Sequence, residues 1–269
     1  MPDDDPLLSR VLALVEQHHG VGSRGAAAPA WLRARISASL AELSAESGQS
    51  LELVVERLER DPVLRAELGE VVRVGETRFF RDAAQWQALR RTLLPRLRGS
   101  RLRALSAGCS TGEEAWTLAM LLDEAAGERP LRVVGLDKSR VALAAAREAS
   151  YARDSARELP AELLERYLET SADGGVRVRA SLQGRVSFTP RDLLQGGPPG
   201  EFDLVVCKNV LIYLGDDAGR RALAVLSTAL AEDGVLLVAR SEVPRARSFG
   251  LRAEELEPGV VVFRRNSAA

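Results

Sequence analysis

From about residue 101 to residue 264, short apolar runs alternate with stretches of helical spacing, and this alternation limits what the chain can fold into more than any other feature. The strand-like runs are residues 102–106, 132–136, Phe202–Cys207, 235–239 and Val260–Arg264. The helix-like stretches are residues 112–126, 139–150 and 218–231. Strands taken in turn with helices predict a parallel, doubly wound sheet, because each crossover helix buries its apolar stripe on the strands it joins. One stretch breaks the rhythm. Val176–Val178 and residues 185–188 follow Asp173-Gly174-Gly175 and are separated by polar residues, which predicts a small antiparallel insertion instead of a crossover helix.

Ahead of this region, residues 7–72 carry apolar positions at helical spacing without strand alternation: Leu8, Val11 and Val15, then Leu32, Ile36 and Leu40, then Val54, Leu58, Leu64 and Leu68. They predict a small all-helical domain of short helices. Residues 20–29 break the first helix from the second, and Ser47-Gly48-Gln49-Ser50 break the second from the third, with Ser50 as an N-cap. The division is a helical domain over residues 1–74 and an α/β domain over 75–269, with the insertion at about 168–190.

Composition narrows the function. Lys plus Arg is 37 against 38 for Asp plus Glu, so at a net charge of −1 there is no global basic field to hold nucleic acid or an anionic membrane. Two cysteines and two histidines make neither a disulfide framework nor a Cys/His metal site, and a reducing cytoplasm fits best. The acidic start lacks the positive charge of a secretory signal, and no apolar run approaches the ~20 residues that span a bilayer. Cys109 and Cys207 end the first and fourth strands, which are neighbours in doubly wound sheets, and both are expected as reduced thiols.

In an open α/β sheet, ligands bind beyond the carboxyl ends of the strands. The first such turn is Ser106-Ala107-Gly108-Cys109-Ser110-Thr111-Gly112-Glu113-Glu114. Gly108 lets a ligand approach the backbone and Gly112 opens the helix, but the spacing is not the dinucleotide G-x-G-x-x-G and no Walker lysine follows. Two acidic residues at the helix start repel a pyrophosphate. A cationic ligand with ribose hydroxyls fits better, and S-adenosylmethionine is one. Asp137, at the end of the second strand, offers two acceptor oxygens to a vicinal diol.

Several separated segments resemble one family. Residues 75–95, GETRFFRDAAQWQALRRTLLP, are similar to the N-x-T-x-F-F-R-(E/D) segment of the chemotaxis-receptor glutamate O-methyltransferases, the CheR family. Residues 106–120, SAGCSTGEEAWTLAM, resemble its S-T-G-E-E turn and helix; Lys208-Asn209-Val210-Leu211-Ile212-Tyr213 resembles its R-N-V-(L/M)-I-Y signature, and Ser241-Glu242 its S-E-N. The neighbourhoods of Tyr151 and of Asp192-Leu193 agree in order and spacing, so the resemblance runs from about residue 70 to 265.

The resemblance implies a Rossmann-like α/β S-adenosylmethionine-dependent methyltransferase sheet, a helical N-terminal domain and a small antiparallel β-subdomain. It implies a monomeric, cytoplasmic enzyme that forms glutamyl methyl esters on a chemoreceptor or related signalling protein. Thr77, Arg81, Gly108, Glu113, Asp137, Asp192, Leu193, Asn209 and Val210 match its cofactor positions, and Arg81 and Tyr213 face methyl transfer. Phe79 and Phe80 read as core anchors. Three positions depart from the pattern: Gly75 stands in place of Asn, Ala115 of Pro and Lys208 of Arg. Residues 1–70 hold 7 Arg against 12 acidic residues, a net of −5, where the family carries a basic helix for receptor docking. Two other readings stay open: a cofactor-binding sensor or scaffold without turnover, and a methyltransferase for a small carboxylic acid.

Overall fold

A computed structural model describes residues 5–22, 28–72, 76–198 and 200–266. The chain forms two units, one of residues 1–74 with 213–221 and one of residues 75–212 with 222–269. Gly75 and residues 23–27 of the predicted break at residues 20–29 lie outside the described residues.

The first unit holds α1 (Pro6–His19), α2 (Ala30–Ser47), α3 (Leu51–Arg60) and α4 (Pro62–Val71). Asp5 caps α1 by accepting from the Leu7 N–H, and Ser50 caps α3 as expected, accepting from Leu53. The third predicted helix divides in two, because Asp61 turns extended and caps α4 while Pro62, lacking an N–H, fits only the first helical turn. Leu8, Val11, Val15, Leu32, Ile36, Leu40, Val55 and Leu58 make one buried core.

The second unit begins with α5 (Ala83–Ala88) and then alternates: β1 (Leu102–Ala107), α6 (Glu113–Ala126), β2 (Leu131–Asp137) and α7 (Arg140–Glu148). Next come β3 (Ser150–Tyr151), α8 (Ala161–Tyr167), β4 (Leu168–Thr170), β5 (Val176–Val178) and α9 (Ala180–Gln183). The chain finishes with β6 (Val186–Pro190), β7 (Phe202–Cys207), α10 (Asp216–Thr228), β8 (Leu230–Val238), α11 (Val243–Ser248), β9 (Arg252–Glu257) and β10 (Val260–Arg264).

The main sheet has seven strands in the order β6-β2-β1-β7-β8-β10-β9. The first five run parallel, as predicted, whereas β10 lies antiparallel to both β8 and β9. The alternation did not show β9 because Arg-Ala-Glu-Glu-Leu-Glu is an edge strand, and charge is what keeps an edge from pairing with another chain. The insertion also needs correcting. Residues 186–188 of that stretch belong not to it but to β6, which pairs in parallel with β2 through Val133↔Val186 and Gly135↔Phe188. As an edge strand β6 is only half-buried, so its pattern imitates a hairpin; Phe188 lies over Gly135 and edge-on to Trp116 at 5.4 Å. The small sheet is instead β3-β5-β4, antiparallel and built from residues 150–178, with β5 in the middle.

Candidate active site

The turn after β1 requires glycine twice. Gly108 has φ +78 and Gly112 φ +99. A Cβ on Gly108 would lie 2.5 Å from Val210 Cγ2, and one on Gly112 would lie 2.8 Å from the Ala146 Cβ, so both backbone angle and space exclude a side chain. The N–H groups of Gly108 and Cys109 share the Leu136 carbonyl at 2.8 and 2.9 Å, and the Ser110 N–H donates to Asp137 Oδ2 at 2.8 Å. Asp137 Oδ1 accepts from the Ser139 N–H at 2.9 Å. Since a carboxylate has about four acceptor positions, Asp137 is held in place and keeps capacity for a diol.

The next strand end joins the same crest. The Arg191 N–H donates to the Asp137 carbonyl at 2.9 Å, which sets Asp192 and Leu193 beside it. Asp192 Oδ1 caps the short turn Leu193–Gln195, accepting from Leu194 at 2.9 Å. Beyond β7, Asn209 takes a left-handed φ of +59 and Val210 covers Gly108. That loop is fastened by Glu242, which is fully buried and accepts from the N–H groups of Asn209 at 3.0 Å, Ile212 at 3.1 Å and Ala239 at 2.9 Å. Burial pushes the Glu242 carboxyl up, and its backbone donors oppose the push.

Arg81 sits on a strained turn. Phe80 and Asp82, on either side of it, have φ +60 and +64, and the segment is pinned by the fully buried Phe79 and Phe80. The Phe80 N–H donates to Thr117 Oγ1 at 3.1 Å, and the Arg81 carbonyl accepts from Trp86 Nε1 at 2.8 Å and from Lys208 Nζ. The half-exposed guanidinium donates to the Glu76 carbonyl at 2.6 Å. Phe80, Asp82, Ser110 and Asn209 are four of the five non-glycine residues with left-handed backbone among the described residues. Such angles cost about 1–3 kcal/mol each and persist only where the surroundings impose them.

The acidic pair opening α6 has two different environments. Glu113 is buried and accepts from Thr111 Oγ1 at 2.7 Å, and burial raises its pKa. Glu114 accepts from Ser106 Oγ at 2.8 Å. Desolvation pushes it up to about 7, against the pull of Lys208, the Ser106 hydroxyl and Arg81 and with a further push from Glu242. Cys109 and Cys207 are buried free thiols, both pushed up by desolvation, so neither is an activated nucleophile.

Of the predicted site residues, Gly108, Glu113, Asp137, Asp192, Leu193, Asn209 and Val210 gather at the ends of four adjacent strands. Arg81 joins them through Lys208. Thr77 is half-buried, four residues ahead of Arg81 on the same segment. Tyr213 belongs to the first unit, where its ring meets Trp31 edge-on at 5.5 Å and its carbonyl accepts from the Gly22 N–H at 3.1 Å. Glu114, Lys208 and Glu242 were not singled out as site residues by the sequence, although each stands inside a motif it displayed.

A family model described as "CheR methyltransferase, SAM binding domain" matches residues 75–250. The chain belongs to the CheR methyltransferase family. Chemotaxis protein methyltransferase 1 of Pseudomonas aeruginosa is 30% identical over 240 residues, covering 84% of this chain and 88% of that one. The chemotaxis protein methyltransferase of Listeria monocytogenes is 32% identical over 190 residues, with 69% and 71% covered, and that of Escherichia coli 35% over 173 residues, with 62% and 60% covered. This CheR-family chain is an S-adenosylmethionine-dependent methyltransferase, as the resemblance implied. Among its described residues, no helix is long and apolar enough to cross a membrane.

Proposed function

We propose that the chain transfers the methyl group of S-adenosylmethionine to glutamate side chains on the cytoplasmic part of a chemoreceptor or related signalling protein, giving glutamyl methyl esters. The observation that carries this reading is the fixed Arg81 turn, whose backbone carbonyl is tied to Lys208, the residue just before the Asn209–Val210 loop, and whose guanidinium is close enough to Glu114 to act on it electrostatically. A glutamate is already ionised at neutral pH, so its carboxylate needs orientation and loss of water more than a general base. A planar guanidinium pairs with a carboxylate in a defined orientation. Tyr213 is the second residue assigned to the acceptor, as a hydroxyl donor.

The donor set suits the cofactor. Asp137 retains acceptor capacity for ribose hydroxyls, Asp192 and Leu193 are assigned to the adenine, and Thr77, Arg81, Gly108, Glu113, Asn209 and Val210 to the rest of the molecule. When bound, its sulfonium supplies the electrophilic methyl group. Residues 75–269 form the methyltransferase domain in this reading. The acidic charge of residues 1–70 disfavours docking on acidic receptor helices, so the small sheet is assigned to hold the partner. Its open edges are β3 and β4, with β5 between them. The deciding experiment incubates the chain with labelled S-adenosylmethionine and receptor cytoplasmic fragments. Base-labile label on receptor glutamates supports the proposal. Binding without transfer points to a sensor module, and turnover without receptor to a small-acid enzyme.

Glu114 gives the site a pH dependence of known sign. Pushed up to about 7, it is neutral below that pH and anionic above it. The charged groups around it are Lys208, Arg81 and Glu242. A cationic ligand gains from the anion, so calorimetric affinity for S-adenosylmethionine should rise roughly 3- to 10-fold between about pH 6 and pH 8. Glu114→Gln should flatten this rise. In the ligand-free protein the sign reverses: the folded state keeps this proton longer than the unfolded chain does, so the contribution of Glu114 to stability falls as pH climbs from the ordinary carboxylate range to about 7. A pH-independent affinity in the parent protein would remove Glu114 from the ligand's surroundings.

A further inference from the structure

We propose that Lys208 is a positioning residue: reaching from the end of β7, it locks the backbone turn that carries Arg81 and thereby couples that turn to the Asn209–Val210 loop. The inference rests on the reading of Arg81 as the group that orients the acceptor carboxylate. Lys208 is one of only two lysines in the chain, and its side chain is 2% exposed. Its ammonium has three partners, all on the Arg81 side. It donates to the Arg81 carbonyl, lies 3.2 Å from Asp82 Oδ2 and stands over the Trp86 ring at 5.0 Å. Trp86 itself donates to the same Arg81 carbonyl, so both lone pairs of that oxygen are engaged.

The placement explains how the turn survives. With left-handed angles at both Phe80 and Asp82, the turn draws no support from a regular helix and must be held by neighbours. Lys208 supplies a hold from a central strand of the sheet, 127 residues further along the chain. The next residue, Asn209, is itself left-handed and fastened by Glu242, so one short segment fixes both parts of the site. Burial pulls the ammonium pKa down, while Asp82 and Glu114 favour the charged form. A buried charge is a poor source of stability compared with an apolar side chain of similar size. Its presence here is better accounted for by geometry, since an apolar residue would fill the space without grasping the Arg81 carbonyl.

The test compares Lys208→Met, which keeps the apolar stem over Trp86, with Lys208→Arg, which restores a cationic donor, in the full chain. Hydrogen exchange of the free protein, affinity for S-adenosylhomocysteine, and kcat with a receptor fragment are read for each. Lys208→Met should speed exchange over residues 78–84 by about tenfold or more while other parts of the sheet keep their rates. Its kcat should fall roughly 10- to 100-fold, with a smaller fall in S-adenosylhomocysteine affinity, since Arg81 is one of several residues assigned to the cofactor. Lys208→Arg should recover most of both losses. Unchanged exchange at residues 78–84, faster exchange throughout the sheet, or local loosening with normal kcat would each overturn the proposal. If the parent protein methylates no receptor, the functional reading fails, whereas the exchange comparison still decides whether Lys208 holds the turn.

Discussion

Replacing Glu242 by alanine should lower the stability of the protein by on the order of 3–5 kcal/mol and its melting temperature by roughly 10 °C. The side chain is fully buried and satisfies three backbone donors, on Asn209, Ile212 and Ala239. Alanine removes every acceptor at once and leaves an apolar methyl where water does not reach. Each orphaned N–H then carries a desolvation penalty of about 1–3 kcal/mol, only part of which the loop can recover by opening to solvent. Opening would cost the Asn209 angle and the contact of Val210 with Gly108, so cofactor affinity should fall with stability. Glu242→Gln should land between the two, since one oxygen still accepts while the new amide group faces donors. Thermal unfolding of the three proteins checks the order, and an alanine variant melting within about 2 °C of the parent would show that the loop is held by other means.

How well the sequence announced its structure depended on where each signal was stored. The inner strands β1 and β7 are buried over most of their length and β2 at Val133, Gly135 and Leu136, and all three carry short apolar runs, so they were readable as strands. Of the edge strands, half-buried β6 was read as extended but given to an antiparallel insertion, and charged β9 was missed, because neither writes the continuous apolar run of an inner strand. Pro62 divided a helix that apolar spacing alone made continuous.

The site followed the same logic. The turn at residues 106–112 was visible because its glycines are a backbone requirement expressed directly as residue type. Apart from the Ala239 N–H, the backbone groups that Glu242 and Lys208 hold lie 30 to 127 residues away, and a peptide group leaves no residue signature at its own position. The motif containing Lys208 therefore drew attention to Asn209 and Val210, while the lysine looked only like a substitution. Tyr213, marked by the same motif, packs its ring on Trp31 in the helical unit.

Gly108→Ala should weaken S-adenosylmethionine binding by roughly 10- to 100-fold and destabilise the fold by about 2–5 kcal/mol. Two costs combine. At φ +78 any L side chain strains the backbone, by about 1–2 kcal/mol. The added Cβ would also stand 2.5 Å from Val210 Cγ2, far inside contact distance, so either the turn or the Asn209–Val210 loop must move, at a further cost of about 1–3 kcal/mol. The two costs separate in a double-mutant cycle. Val210→Ala deletes the atom that collides but leaves the backbone angle, so in the Gly108→Ala background it should be less harmful than alone, or helpful. A coupling of about 1 kcal/mol or more between the substitutions, read from calorimetric affinities and unfolding midpoints, is expected for residues in contact. Strict additivity would mean that the turn after β1 and the loop after β7 do not meet, and that the cofactor residues on them are not held as one surface.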